Sequence, residues 1–185
     1  MLHVPVPCHR LFFALRPPIV LARRIASEAH WFEGERGVLA PERLHVTIDI
    51  LDDRDALDDD LTHRLIAAGA AVAAAPFAIT FDRAVGSARS IALRPSARNA
   101  GLDAFRAALV RERGAHGIAE RHNYRFAAHM TLGYRDGAPF NERIAPVTWD
   151  VDNFDLIHSH VGLTRYDLLG QWTLRADEER QLALF

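Results

Sequence analysis

Residues 125–134, RFAAHMTLGY, place His129 and Thr131 two positions apart inside an apolar run. Such a run favours a β-strand, in which successive side chains point to opposite faces. His129 and Thr131 would then share one face, roughly 7 Å apart, while the apolar residues beside them face a hydrophobic core. The stretch therefore predicts a strand with one buried face and one face that carries polar groups.

The same pattern occurs once more, at His45 and Thr47 within residues 44–50, LHVTIDI. Chance pairing of the histidines and threonines of this chain would give roughly 0.4 such pairs, so either pair alone is weak evidence. Two pairs in matching strand contexts are stronger. They indicate two strands that present the same polar groups.

The composition is typical of a folded globular protein. The chain has 185 residues, 49% hydrophobic and 25% charged, so it can bury a substantial core as one domain or as two closely packed lobes. The formal net charge of −2 argues against a protein that coats long nucleic acid, although a local basic cleft is compatible with it. All 22 basic residues are Arg, for which a codon bias is the simplest explanation.

The single cysteine, Cys8, excludes an internal disulfide and a thiolate zinc cluster. No apolar run reaches the length that spans a membrane, and the N-terminus lacks the layout of a secretion signal. We therefore expect a cytoplasmic protein that needs no membrane and no obligate protein partner.

Helical spacing of apolar residues, bounded by Pro and Gly, predicts three helices. They run from about Pro18 to Phe32 with Gly34 and Gly37 as stop signals, from about Asp58 to Ala75, and from Asn99 to about Arg113 with Gly114 and Gly117 as stop signals.

Alternating or buried apolar runs predict the strands, and two short sequences read as turns. The predicted strands are Arg10–Arg16, Leu44–Leu51, Phe77–Phe81, Ser90–Leu93, Arg125–Tyr134, Val147–Trp149, Phe154–His158 and Thr173–Leu174, with turns at Val85–Gly86 and Leu169–Gly170. This order predicts an α+β fold in which each His-Thr strand closely follows a helix-containing segment.

Two histidines that face one cleft supply a base and an acid, because the unperturbed pKa of histidine is about 6.5. Phosphodiester opening needs this arrangement: one group removes a proton from the attacking water, and the other protonates the departing sugar oxygen. Threonine hydroxyls on the same faces can donate hydrogen bonds to the phosphate oxygens, where negative charge develops. This scheme requires neither a metal nor a cofactor.

Four segments resemble the 2H phosphoesterases, and among them the bacterial group of 2'-5' RNA ligases or RNA 2',3'-cyclic phosphodiesterases. These segments are Arg10–Leu15, Glu42–Thr47, Ala128–Leu132 and the tail Leu156–Leu174. Together they span nearly the whole chain, in the order of the family's opening strand, its two His-x-Thr motifs and its closing hairpin.

The resemblance implies one domain over residues 1–185 with a bilobal α+β fold, in which two antiparallel-sheet lobes carry helices on the outside and enclose a central cleft. It implies hydrolysis of RNA 2',3'-cyclic phosphate ends to a 2'-phosphate, with reversible 2'-5' joining as a side of the same chemistry. His45 would protonate the leaving oxygen and His129 would accept a proton from water. Thr47 and Thr131 would bind the phosphate.

The sequence departs from the family pattern after each motif. Many relatives carry an Arg five residues after the second-motif His, where this chain has Tyr134, with Arg135 one position later on the opposite strand face. After the first motif, Ile50–Leu51 runs into Asp52–Asp53 instead of a Leu-Gly turn. Acidity at the cleft rim disfavours a long RNA, so a small cyclic nucleotide or a short RNA end is at least as plausible a substrate.

Tyr134, Arg135 and Tyr166 are the candidate substrate contacts beyond the motifs. Tyr166 can stack a base, since its hydroxyl tolerates exposure, whereas Phe12 and Phe13 are expected in the core.

Two further polar features allow alternative interpretations. Simple alternation places Asp49 on the face of His45, where it could orient that histidine; a solvated strand-end residue is the favoured interpretation. His158 and His160 could form half of a metal site, but with no further ligands identified we expect no metal and favour a strand-end pair near the cleft.

Three functions therefore remain open. The first is a metal-independent phosphodiesterase for RNA 2',3'-cyclic phosphate ends. The second uses the same residues on another 2'-linked or cyclic nucleotide diester. The third is an RNA-end binding module without turnover.

Overall fold

A computed structural model of the chain describes residues 8–29 and 37–176. In chain order, its strands and helices are β1 (Cys8–Leu15), α1 (Ile19–Glu28), β2 (Val46–Ile50), α2 (Asp59–Ala71), β3 (Phe77–Gly86), β4 (Ser90–Arg94), α3 (Ala100–Ala115), β5 (Met130–Tyr134), β6 (Phe140–Val151), β7 (Asn153–Val161) and β8 (Arg165–Thr173). Among the described residues, no helix has the length and apolar character needed to cross a membrane.

The eight strands form one antiparallel sheet in the order β6-β3-β4-β5-β2-β1-β7-β8. The two His-Thr strands, β2 and β5, are the central neighbours, joined through the pair Val46 and Met130. Each half of the sheet contains four strands including its motif strand, and in each half a helix connects the motif strand to its neighbour, as β1-α1-β2 and β4-α3-β5. The α+β prediction is confirmed, and the strands of the two expected lobes are continuous as a single sheet.

The two faces of the sheet are covered differently. The large core lies on the face that carries the helices and includes Phe13, Val46 and Met130. The opposite face carries a small cluster in which Phe12 packs with Ala14 and Ile157. Phe12 and Phe13 are both buried, as expected, but on opposite faces. We call these the helix face and the open face.

Side-chain caps fix two of the three helix starts. The carboxylate of Asp58 accepts hydrogen bonds from the backbone N–H groups of Asp60 and Leu61 at the start of α2. At the start of α3, the Asn99 side chain accepts from the N–H of Leu102 at 2.9 Å. Such caps satisfy N–H groups that have no partner within the helix.

Three predicted ends of helices need revision. Helix α1 ends at Glu28, and the predicted end at Phe32 and Gly34 lies outside the described residues. Helix α2 ends at Ala71, before the predicted Ala75. Helix α3 continues through Gly114 and ends at Ala115; Gly117, two residues later, has a φ of +69° that is easy only for glycine.

The predicted turns were wrong because strand pairing extends through both of them. Val85–Gly86 is the paired end of β3. Leu169–Gly170 lies inside β8, where Leu156 pairs with Gly170 and Ile157 with Leu168, so that Leu169 is the extra residue of a bulge. Strand β8 thus begins well before the predicted Thr173.

Strand β5 begins at Met130 and not at Arg125. Just before the strand, the carbonyl of Ala127 accepts the hydrogen on Nδ1 of His129 at 2.7 Å. The Ala127 carbonyl is thus bonded to a side chain, whereas in a longer strand it would accept a hydrogen bond from the neighbouring strand. His129 is therefore the residue that immediately precedes β5.

Candidate active site

The register between β2 and β5 brings both His-Thr pairs together. Val46 pairs with Met130, both fully buried on the helix face. Extending this antiparallel register by one residue in each direction places His45 opposite Thr131 and Thr47 opposite His129. Directly opposed residues have Cβ atoms about 4.5–5.5 Å apart, and the diagonal pair of histidines about 7–8 Å. Both histidines and both threonines therefore lie on the open face, within reach of one phosphate group.

The two histidines are held in the same way. Nδ1 of His45 lies 2.7 Å from the carbonyl oxygen of Arg43, and Nδ1 of His129 lies 2.7 Å from that of Ala127. Because a carbonyl can only accept, each Nδ1 carries a hydrogen. Nε2 of each ring is therefore the atom left to exchange a proton with a substrate.

Each motif is followed by a β-bulge at the same position. In the β1–β2 pair, Phe13 lies opposite Asp49 and Ala14 opposite Thr47, so Ile48 is the extra residue. In the β4–β5 pair, Ile91 lies opposite Gly133 and Ala92 opposite Thr131, so Leu132 is the extra residue. A bulge breaks the alternation of side chains. Each residue after the bulge therefore lies on the sheet face opposite to the one that strict alternation along the strand would give it.

The first bulge corrects the expectation for Asp49. Its strand partner Phe13 belongs to the helix-side core, so Asp49 lies on the helix face, away from His45. Its side chain is 1% exposed and accepts a hydrogen bond from Nε of the buried Arg113 at 2.5 Å. Asp49 is thus neither a partner of His45 nor a solvated residue. It anchors β2 to helix α3.

The second bulge places Tyr134 on the open face. Tyr134 pairs with Ser90, two positions from the Ala92–Thr131 pair, and is 49% exposed. Arg135 instead donates to the carbonyl of Ala138 at 3.3 Å and lies over the ring of Phe140. The structure therefore brings Tyr134 to the face of the site and directs Arg135 into the loop before β6.

Aromatic rings enclose His45 on one side. The ring centroid of Phe12 lies 5.0 Å from that of His45, and that of Tyr166 lies 5.7 Å from it. Tyr166, His45 and Arg43 line a pocket of about 230 Å³. Of the candidate substrate contacts, Tyr166 is the one that the structure places directly against a motif histidine.

Arg43 also belongs to the site, although no motif in the sequence marks it. Its guanidinium lies over the ring of Tyr166, 4.8 Å from the centroid. Its Nε is buried and has no hydrogen-bond partner among the described residues. A buried donor of this kind is costly unless a ligand satisfies it. In the sequence it is an Arg two residues before the motif His, and among 22 Arg nothing in the sequence distinguishes it.

Burial lowers the pKa of His45 to about 4, and the positive charges of His129, Arg43 and Arg16 contribute to the same direction. The hydrogen bond to the Arg43 carbonyl opposes this shift. His45 is therefore neutral in the free protein at neutral pH. Between pH 6.5 and 4 the unfolded chain binds a proton here that the folded chain does not, so the stability contributed at His45 decreases as the pH is lowered through this window.

We expect NMR spectra of ¹⁵N-histidine-labelled protein to show His45 as the Nδ1–H tautomer at pH 7, with half-protonation near pH 4. Exposed His63 on α2 serves as the control. Addition of inorganic phosphate should raise the pKa of His45, because an adjacent anion favours the charged imidazolium. A His45 midpoint near 6.5 without phosphate would contradict the buried environment described above.

Known proteins share the sequence profile and the fold of this chain. The sequence profile of the 2'-5' RNA ligase superfamily matches residues 17–163. No curated protein matches the sequence itself. The structure of E. coli LigT complexed with 3'-AMP superposes with a TM-score of 0.72 and 24% identity, over 91% of this chain and 98% of that chain.

Two further structures share the fold. The TT0787 protein of Thermus thermophilus has a TM-score of 0.68 and 23% identity, over 91% of this chain and 99% of that chain. The MHV ns2 PDE domain is more distant, with a TM-score of 0.51 and 18% identity, over 78% of this chain and 97% of that chain. The profile match covers most of the chain, and the fold of these structures is the one described above. The chain therefore belongs to the 2'-5' RNA ligase superfamily of 2H phosphoesterases.

Proposed function

We propose that this protein hydrolyses the 2',3'-cyclic phosphate at an RNA end, or on a small cyclic nucleotide, to a 2'-phosphate. Membership of the superfamily supports a phosphodiesterase or ligase role. The observation that carries the specific proposal is the Val46–Met130 register, which sets two histidines and two threonines on one sheet face. The two Nε2 atoms approach a phosphate from different sides, as an acid and a base must.

In the proposed reaction, water attacks phosphorus while one Nε2 removes its proton, and the bond from phosphorus to O3' breaks. The other Nε2 delivers a proton to O3', which leaves a free 3'-hydroxyl and a 2'-phosphate. The hydroxyls of Thr47 and Thr131 donate to the two non-bridging oxygens and stabilise their increasing charge. The proton balance closes, since one proton enters from water and one leaves to the sugar.

The resemblance to the family gives His45 the acid role and His129 the base role. In this assignment, His45 takes up its proton when the phosphate anion binds, because burial keeps it neutral beforehand. The lowered pKa suits a base equally well. The reaction requires one acid and one base. Experiment decides which histidine has which role.

Three features support a terminal or free nucleotide as the substrate. The pocket beside His45, of about 230 Å³, is small for a ligand site. Tyr166 is half-buried at its edge and offers a ring to a base. E. coli LigT has been crystallised with 3'-AMP, ATP and NADP+, which are all nucleotides. The acidity at the rim matters less than the sequence suggested, since Asp53 pairs with Arg10 at 2.6 Å.

The test is turnover of a nucleoside 2',3'-cyclic phosphate and of a short RNA with a cyclic end, by protein treated with a chelator, with products assigned by ³¹P NMR. We expect a 2'-phosphate as the sole product. A 3'-phosphate product would contradict the proposed bond cleavage. Joining of RNA ends without hydrolysis would favour the ligase activity, and binding of RNA ends without turnover would favour the binding module.

Arg43, whose buried Nε has no partner among the described residues, is proposed to donate a hydrogen bond to the substrate phosphate. Arg43→Met is therefore expected to raise KM about tenfold to a hundredfold with a smaller effect on kcat, because a charged hydrogen bond contributes about 1.5–3 kcal/mol. The same variant should raise the pKa of His45, since Arg43 is one of the charges that lower it. Steady-state kinetics and the histidine NMR titration measure the two effects separately.

Arg135→Met is the matched control for this variant. Its guanidinium contacts the carbonyl of Ala138 and the ring of Phe140, away from the site, so KM should be unchanged. Equal KM values for wild type and Arg43→Met would show that Arg43 does not bind the substrate phosphate.

A further inference from the structure

Three histidines converge on the sheet face opposite to the candidate active site. His9 on β1 and His158 and His160 on β7 each offer one ring nitrogen, and these nitrogens all lie within 4.8 Å of one another. The register pairs His9 with His160 and His158 with Leu11. Leu11 belongs to the helix-side core, so the cluster faces away from His45. The sequence identified His158 and His160, and only the strand register adds His9.

The spacing of the rings suits a small cation. Nδ1 of His9 lies 2.8 Å from Nε2 of His158, and the ring centroids of His158 and His160 are 4.2 Å apart. Zinc–nitrogen bonds of about 2.0–2.1 Å in a tetrahedron place two nitrogens about 3.3 Å apart. The His9–His158 separation would have to change by only about half an ångström to admit the ion.

Asp167 on β8 completes the cluster from the third strand. Its Oδ2 lies 2.7 Å from Nε2 of His160 and 3.8 Å from Nδ1 of His158. Both carboxylate oxygens also accept hydrogen bonds from Arg165. A carboxylate engaged in this way orients a metal-binding histidine instead of binding the metal itself. With Nε2 of His160 bonded to Asp167, Nδ1 is the nitrogen left for a metal.

The central histidine of the cluster is also shielded from solvent. His158 is 3% exposed.

We propose that His9, His158 and His160 bind one Zn²⁺ ion, with Asp167 as the residue that orients His160 and a water molecule in the fourth position. Three imidazoles without a thiolate are a ligand set that zinc accepts in tetrahedral geometry. The site joins β1 and β7 directly and β8 through Asp167. It shares no residue with the His45–His129 pair, so the ion stabilises this half of the sheet without acting on the phosphate.

Zinc binding to chelator-treated full-length protein should be measured by isothermal titration calorimetry, with Tm as a second readout. We expect one Zn²⁺ per chain with a dissociation constant in the micromolar range or tighter, and a Tm that rises with zinc concentration. His9→Gln and His160→Gln should each weaken binding at least tenfold, and Asp167→Asn should weaken it by about 10–100-fold.

The control is the double variant His45→Gln, His129→Gln, which should bind zinc as tightly as wild type. X-ray absorption of zinc-loaded wild type provides a test that needs no variant, with three imidazole ligands and one oxygen expected. Absence of binding by wild type would overturn the proposal. Unchanged affinity in folded His9→Gln and His160→Gln, checked by circular dichroism, would place the ion elsewhere and overturn it equally.

Discussion

Alanine at His45 or at His129 is expected to lower kcat/KM for a nucleoside 2',3'-cyclic phosphate by about 10²–10⁴-fold, the usual contribution of a positioned acid or base. The double variant should lose little more than either single variant, because residues that act as a unit are not additive. His63→Ala, on the exposed surface of α2, is the matched control and should retain full activity. Full activity in either site variant would contradict the proposed mechanism.

A substrate with a better leaving group separates the two roles. When the departing group is p-nitrophenolate, it leaves without protonation, so the acid becomes dispensable while the base does not. With the assignment that the family resemblance gives, His45→Ala should recover much of its activity on a nucleoside 2'-(p-nitrophenyl phosphate), and His129→Ala should not. If His129→Ala recovers activity and His45→Ala does not, His129 is the acid and His45 the base, and both histidines remain part of the mechanism.

Asp49→Asn or Arg113→Met is expected to reduce the free energy of unfolding by about 3–5 kcal/mol, because each leaves a buried group without its charged partner. Both residues are nearly inaccessible, at 1% and 3% exposed, and Arg113 also donates to the carbonyl of Ile118 at 2.6 Å. Burial raises the pKa of Asp49, and the Arg113 guanidinium acts in the opposite direction. Urea unfolding followed by circular dichroism measures the change.

Arg98→Met provides the matched control for the buried pair. Arg98 contacts Asp103 at the same 2.5 Å, but its side chain is 87% exposed, so its loss should cost less than about 1 kcal/mol. The double variant Asp49→Leu, Arg113→Met should recover much of the stability lost by either single variant, since a buried ion pair often stabilises no more than apolar residues do. A loss below about 1 kcal/mol in both single variants would contradict the structural role of this pair.

The order of the predicted elements indicated the α+β class, and four segments that include the two His-x-Thr motifs indicated the family, before any geometry was known. Strand propensity and helical spacing are local properties, so the existence of most elements could be predicted from them. The register between β2 and β5 could not be predicted from local properties, because it depends on which strands become neighbours. That register gives the candidate site its geometry, since it sets each histidine opposite the threonine of the other motif.

The expectations for Asp49, Tyr134 and Arg135 rested on simple alternation along a strand. The bulges at Ile48 and Leu132 are set by pairing with β1 and β4, and nothing in the local sequence marks them. The same limit explains the predicted turn at Leu169–Gly170, where a glycine lies in a paired strand. Long-range pairing, and not local preference, decides where side chains point in this sheet.

The central claim is that one phosphate group binds between the two motifs. A crystal structure with the nucleoside 2'-phosphate product tests it most directly. The expected result is a phosphate whose oxygens lie within about 3 Å of Nε2 of His45, Nε2 of His129 and the hydroxyls of Thr47 and Thr131. A product phosphate bound without either histidine would contradict the claim.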